Sequence, residues 1–266
     1  MNYKIQDIQF LIDLALSAGK EIMRVYSDEY NIKLKDDRSP LTLADTLSDE
    51  LIKKSISHQY PDIFYFSEES SNAKVDGITT FFLVDPLDGT KEFIKKNGEF
   101  TVNIALIIDS CLEIGVVYAP ALNELYYGSK KFGAYKIVTT NHEVTENINK
   151  LGQDNNYDGP LRVIASRSHA SDELNIWLDQ LEQDYELKNY GSSLKFCRLA
   201  EGEADIYPRF GLTSQWDTAA GHCILRCAGG DVLDQQHQFL EYGFSRPILN
   251  PNFIAYRTHR KLIANN

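Results

Sequence analysis

The chain has 266 residues, with 27 Lys or Arg against 38 Asp or Glu and a net charge of −11. At 43% hydrophobic and 24% charged, it is composed as a globular protein with a sizeable core, in one large domain or two small ones. The acidic balance argues against a nucleic-acid polymer as partner, and no apolar run approaches the ~18 residues of a membrane span. Four cysteines in this length make no disulfide framework. Reduced thiols, and a charged first segment with no signal-peptide core, lead us to expect a cytoplasmic protein.

The segment from Ile5 to Tyr26 spaces Ile5, Ile8, Leu11, Ile12, Ala15, Ile22 and Val25 along one helix face. A second helix is expected from Pro40 through Leu43, Leu47, Leu51 and Ile52, ending before Pro61. Six runs rich in β-branched and aromatic residues follow, at 63–70, 79–86, 100–109, 113–120, 124–129 and 133–138. Their short connections predict an antiparallel meander. The polar, Asn-rich segment 139–160 reads as a domain junction with room for a short element, dividing an N-terminal half (1–152) from a C-terminal half (153–266). Beyond it, strands at 161–166, 185–191, 205–210 and 231–234 alternate with helices at 171–183, at 193–204 and near Thr218. That alternation is the pattern of an α/β unit.

The chemistry concentrates in DPLDGT, residues 85–90. Asp85 is expected where an apolar strand breaks into a turn. Asp85, Asp88 and the Leu87 carbonyl offer hard oxygens of the kind Mg2+ takes together with water and phosphate. Taken alone, the same six residues are an ordinary β-turn. Glu68 and Glu69 end the preceding strand, so two antiparallel neighbours would bring Glu68, Asp85 and Asp88 to one edge. Asp217 opens a helix, either as a plain N-cap or as a further ligand beside a helix N-terminus that favours phosphate. Asp45, near the start of the second helix, reads as a helix-start charge or as part of the same site. Carboxylates gathered this closely repel one another and any anion, unless two or three Mg2+ reverse the sign and make a phosphate trap.

Competing motifs are absent. The aspartate spacing is wrong for D-x-D-x-T, and there is no phosphate-binding G-x-x-x-x-G-K-[ST], no G-x-G-x-x-G and no H-E-x-x-H. The six histidines are scattered, and Cys223 and Cys227, four apart on one predicted helix, read as core packing.

SEES at 67–70, DPLDGTKEFIKKNGEFTVNIALI at 85–107 and WDTAAG at 216–221 resemble the inositol monophosphatase superfamily of Mg2+-dependent, Li+-sensitive phosphatases. The resemblance covers nearly the whole chain. KEF after DPLDGT, together with GSSLKFC at 191–197, is similar to the bacterial 3′(2′),5′-bisphosphate nucleotidase branch. It implies an α/β fold layered α-β-α-β-α, with an N-terminal antiparallel sheet and two helices, a C-terminal mixed sheet, and the active site between the halves. It implies that Glu68, Asp85 and the Leu87 carbonyl hold one Mg2+, that Asp85, Asp88 and Asp217 hold a second, and that Glu68 reaches a third ion through water. Thr90, paired with Asp45, is implied to activate the attacking water. The Gly89 and Thr90 amides would meet the phosphate, and His169, Ser192, Lys195 and Arg209 the nucleotide.

The activity implied is removal of the 3′-phosphate of adenosine 3′,5′-bisphosphate to give AMP. The resemblance adds 3′-phosphoadenylyl sulfate as a second substrate, a place in sulfur assimilation, and Li+ inhibition. A small-molecule nucleotide is the expected partner, and a monomer is expected rather than a dimer. Peripheral placement on the cytoplasmic face of the inner membrane is left open. The rival readings are an inositol- or sugar-phosphate phosphatase on the same scaffold and a catalytically inactive nucleotide-binding regulator. Thr90 and Asp45 speak against the regulator, because a pure binder has no need of a water-activating pair.

Overall fold

The first helix forms over Ile5–Tyr26 (α1) and the second over Pro40–Gln59 (α2), as their apolar spacing predicts. The computed structural model describes residues 2–27, 40–70, 77–153, 157–166 and 172–257. α1 and α2 pack together on one face of a seven-stranded sheet. Its strands run in spatial order β1 (Phe64–Ser67), β2 (Phe81–Asp88), β3 (Thr101–Ile108), β4 (Cys111–Ala119), β5 (Glu124–Ser129), β6 (Gly133–Thr140) and β7 (Glu143–Lys150). A short helix, α3 (Thr90–Ile94), follows β2.

Two expectations are corrected here. β2 to β7 form the antiparallel meander, but β1 pairs with β2 in parallel. The connection from 68 to 80 accounts for this, since it supplies the roughly one dozen residues a parallel crossover needs. The polar segment after residue 139 also contains a whole strand, β7, joined to β6 by Asn141 and His142 at φ 52° and 61°. These are the left-handed conformations of a tight hairpin turn. β7 is an edge strand exposed along nearly all its length, so it has no buried face to impose an alternating apolar pattern.

The second sheet has the order β11-β12-β10-β8-β9, from β8 (Leu161–Ser166), β9 (Tyr185–Tyr190), β10 (Ile206–Arg209), β11 (Asp231–Asp234) and β12 (Phe253–Tyr256). It is mixed: β8 is parallel to β9 and β10, and β12 is antiparallel to β10 and β11. Arg162 of β8 and Asp205, just before β10, form a buried ion pair at 2.8 Å on this sheet. Three helices complete the fold: α4 (Asp172–Asp179), α5 (Leu194–Glu201) and α6 (Gln215–Cys227).

Three apolar clusters define the layers. Ile8, Leu11 and Ile52 of α1 and α2 meet Val84 and Ile104 on the outer face of the first sheet. Phe196, Leu199 and Ile224 of α5 and α6 lie between Leu83 and Val117 of that sheet and Tyr207 and Phe253 of the second. Leu174 and Leu178 of α4 cover Val163 and Ala165 on the far side. The order is α-β-α-β-α, the sandwich expected.

α6 lies close against the first sheet because β4 and β5 present glycines to it. A Cβ at Gly115 would stand 2.4 Å from the Ala220 carbonyl oxygen, and one at Gly128 would stand 2.6 Å from the Ile224 Cα. Arg198 fixes α5 to the same sheet, bonding Glu124 at 2.5 Å and the Tyr126 hydroxyl at 2.8 Å. These contacts set where the first turns of α5 and α6 come to lie.

Candidate active site

A cleft of about 280 Å³ opens where the C-terminal ends of β2 and β10 meet the starts of α5 and α6. The parallel pairing of β1 and β2 places Ser67 opposite Val84, so Glu68 emerges beside Asp85 at the same end of the sheet. The two acidic motifs do converge on one edge, by parallel rather than antiparallel delivery.

β2 does not break at Asp85. It continues to Asp88 through a bulge, with Asp85 opposite Asn103 and Asp88 opposite Thr101. A bulge re-aims side chains without ending the strand, and here Asp85, Leu87 and Asp88 all line the cleft. Two bonds hold the bulge: the Leu87 amide donates to Asp85 Oδ1 at 3.1 Å, and the Ser48 hydroxyl of α2 donates to the Pro86 carbonyl at 2.9 Å. Gly89 follows at φ 93°, the left-handed region, where a Cβ would press on the Glu99 carbonyl at 3.1 Å. Thr90, in the first turn of α3, is exposed at the mouth.

Asp217 is the third residue of α6, not its N-cap. Ser214 caps the helix, and its amide donates to Asp217 Oδ2 at 2.7 Å. The helix therefore starts before the position expected from Thr218, and Asp217 both closes the capping box and lines the cleft.

The acidic end is electrostatically strained. Burial first, then Asp88, Glu68 and Asp217, push the Asp85 carboxyl well above the usual carboxylate range. Asp217 is raised to about 7 by burial and by Asp88, against the relief of the Ser214 amide. Glu68 keeps its outer edge in solvent, yet the protein around it and Asp88 raise it to about 7. Asp88 is raised by burial, and Lys195, the Ser193 amide and Asn103 oppose the rise.

Asp45 stands beside Glu69 and Glu68. Burial and these two neighbours raise it to about 8. Its Oδ1 is buried with no hydrogen-bond partner among the described residues, and no hydrogen bond joins it to Thr90.

Two cations line the same cleft, Lys195 acting on Asp88 and Arg209 on Asp217. Lys195 is 7% exposed; burial lowers its ammonium to about 8, with Asp88 and Glu92 favouring the charged form and Arg209 opposing it. Its Nζ lies 5.6 Å from the Tyr207 ring centre. Arg209 Nη2 donates to the Leu212 carbonyl at 3.0 Å, and its Nε is buried with no partner among the described residues. Ser192, at φ 45°, lines the same cleft. His169 lies outside the described residues.

Sequence reasoning passed over three residues here. Asn103 is a polar side chain in the fully buried strand β3, and that exception is itself a signal. Tyr207 precedes Arg209 by two positions in β10 and shares its face. Glu92, the acid of KEF, is buried at the cleft wall.

The donor set suits a hard divalent cation: four carboxylates crowded beyond what water alone relieves, with Leu87 between them. Among the described residues, no three His, Cys, Asp or Glu side chains are gathered closely enough to enclose an ion by themselves. The Leu87 carbonyl, water and phosphate oxygens would have to complete its shell, which is the habit of Mg2+.

The sequence model of the Inositol monophosphatase family matches residues 5–265. The 3′(2′),5′-bisphosphate nucleotidase CysQ of Salmonella typhimurium is 44% identical over 250 residues, covering 92% of this chain and 98% of that protein. The crystal structure of CysQ from Bacteroides thetaiotaomicron, a bacterial member of the inositol monophosphatase family, superposes with a TM-score of 0.83 at 36% identity. That alignment covers 97% of this chain and 99% of the other. Inositol monophosphatase II of Staphylococcus aureus shares the fold at a TM-score of 0.78 and 20% identity, over 97% of this chain and 92% of its own.

Proposed function

This chain belongs to the inositol monophosphatase family, and we propose that it is a Mg2+-dependent 3′(2′),5′-bisphosphate nucleotidase that removes the 3′-phosphate of adenosine 3′,5′-bisphosphate to leave AMP. The observation that carries this reading is a cleft lined by both kinds of charge: Glu68, Asp85, Asp88 and Asp217 can gather cations for one phosphate, and Lys195 and Arg209 beside them offer positive charge to a second. The Salmonella typhimurium relative is named a 3′(2′),5′-bisphosphate nucleotidase, and it and the Bacteroides thetaiotaomicron CysQ match nearly full length.

In this reading Glu68, Asp85, Asp88, Asp217 and the Leu87 carbonyl hold two to three Mg2+. Bound there, the ions supply positive charge to the phosphate and leaving oxygens and acidify water. Glu68 and Thr90 would face the attacking water, and the Thr90 hydroxyl would pass a proton toward Asp45, which cations bound beside it would return to its charged form with the buried Oδ1 as acceptor. The Gly89 and Thr90 amides meet the phosphate. Lys195, Arg209, Ser192 and His169 hold the nucleotide and its second phosphate, which a metal cluster alone does not distinguish from any other phosphomonoester.

The proposal extends to 3′-phosphoadenylyl sulfate as substrate, to sulfur assimilation in the cytoplasm as setting, to Li+ inhibition and to a monomeric state. Among the described residues, no helix is long and apolar enough to cross a membrane. The test is phosphate release from adenosine 3′,5′-bisphosphate, inositol 1-phosphate and a sugar bisphosphate, with Mg2+ and with chelator. The nucleotide should be preferred and yield 5′-AMP. Preference for inositol 1-phosphate would overturn the substrate assignment, and turnover in chelator the metal assignment.

A further inference from the structure

The loop from β10 to α6 offers the cleft one open apolar surface. Of the large apolar side chains lining the cleft among the described residues, Leu87, Phe196 and Tyr207 are each 2% exposed and already spent in the core. Leu212 is 76% exposed. A lone exposed leucine needs no explanation on an ordinary surface. This one stands on a loop tied down at every side. Arg209 Nη2 holds the Leu212 carbonyl at 3.0 Å, and the Gly211 amide donates to Asn252 Oδ1 at 3.1 Å. The Asn250 amide donates to the Thr213 carbonyl at 2.8 Å, and the Asn250 side chain to the Ser214 carbonyl at 2.7 Å. The backbone is fixed while the side chain is left in water at the rim of a binding cleft.

Arg209 supplies the second observation. Its Nε is buried without a partner among the described residues, and its charge repels that of Lys195 in the same cleft. Two neighbouring cations with an unused donor call for an anion. The guanidinium that would take that anion is the same group that fixes Leu212. We infer that Leu212 is a specificity-determining residue whose open side chain packs against the face of the nucleobase of a nucleotide whose phosphate lies on Arg209. The contact is apolar, so it adds binding energy in proportion to the area covered and takes no part in the chemical step. This inference rests on the nucleotidase reading, and names the part of the substrate that the metal and phosphate contacts leave unread.

The test compares adenosine 3′,5′-bisphosphate with ribose 3′,5′-bisphosphate, which lacks the base, on wild type, Leu212→Ala and Leu212→Met. Leu212→Ala should raise KM for the nucleotide about fivefold with kcat unchanged, the scale of about one buried methylene. It should leave the base-less substrate as in wild type, and Leu212→Met should restore most of the nucleotide KM. An equal effect on both substrates, or none on either, overturns the inference while leaving the nucleotidase reading intact. Failure of the wild type to turn over the nucleotide overturns both.

Discussion

The Ser193 hydroxyl donates to the Asn103 side-chain oxygen at 2.6 Å, joining the start of α5 to β3 across the seam between the two sheets. The hydroxyl has only that one proton, so the Thr101 hydroxyl, 2.9 Å away, donates to the Ser193 oxygen in turn. Asn103 Nδ2 faces Asp88 Oδ2 over a long 3.5 Å, and the Ser193 amide favours the charged form of the same carboxylate. One carboxylate of the acidic cluster is thus oriented by both halves of the chain.

Ser193→Ala removes the middle of this chain and strands two buried polar groups. It should cost about 1–3 kcal/mol of stability, the penalty of unsatisfied buried groups. It should also raise the Mg2+ concentration needed for half-maximal rate, because Asp88 loses its orientation. Urea unfolding and a Mg2+ titration check both; an unchanged midpoint with an unchanged Mg2+ requirement would show that the seam does not orient Asp88.

The raised carboxyls make stability depend on pH in a definite direction. Asp45 at about 8, and Glu68 and Asp217 at about 7, keep protons in the folded state that the unfolded chain has already lost. In the window from the ordinary carboxylate range up to about pH 8, the native state therefore binds more protons, and the contribution of these groups to stability falls as pH rises. A cation that neutralises the cluster removes that penalty. The rise in melting temperature on adding Mg2+ should be larger at pH 8 than at pH 5.5. A shift independent of pH would mean that Mg2+ does not bind this cluster.

Much of the scaffold was legible because the elements that bury one face show it. α1 has the expected bounds and buries its apolar stripe from Ile8 onward, leaving Ile5 exposed, and β2 to β6 are marked by β-branched and aromatic runs. What was not legible has physical reasons. The direction of β1 relative to β2 is set by the path of a connection, which leaves no periodicity. β7 is solvated, and β12 is four residues long. Asp217 looked like a cap because it is part of one, and only the three-dimensional placement of Ser214 shows which residue leads. The metal-ligand candidates were visible as motifs, whereas Asn103 acts through Ser193, far away in the chain.

Thr90 and Asp45 are proposed to act as one water-activating unit, although no hydrogen bond joins them here. Each alanine substitution should lower kcat strongly with little change in KM, and the double variant should be little worse than either single one. Fully multiplicative losses would show that they act separately.

Lys195 and Arg209 are assigned the second phosphate. Lys195→Ala or Arg209→Ala should cost about 1–3 kcal/mol in kcat/KM for the bisphosphate, the scale of a charge-assisted hydrogen bond. The same changes should affect much less a small monophosphate ester that has no second phosphate for them to hold. Equal losses on both substrates would move these residues from recognition to support of the fold or the acidic site.

The central claim is that the buried carboxylates exist to hold cations for catalysis. Asp85 bears it most heavily, being 1% exposed and raised by each of the other three. The direct measurement is the rate of phosphate release from adenosine 3′,5′-bisphosphate against Mg2+ concentration, after chelation, for wild type and Asp85→Asn. The wild type should be silent without Mg2+ and recover on its return, while Asp85→Asn should stay folded, melt no earlier than the metal-free wild type, and lose most of the rate at every Mg2+ concentration. A folded Asp85→Asn enzyme with wild-type rate, or a chelated wild type that still turns over, would contradict it.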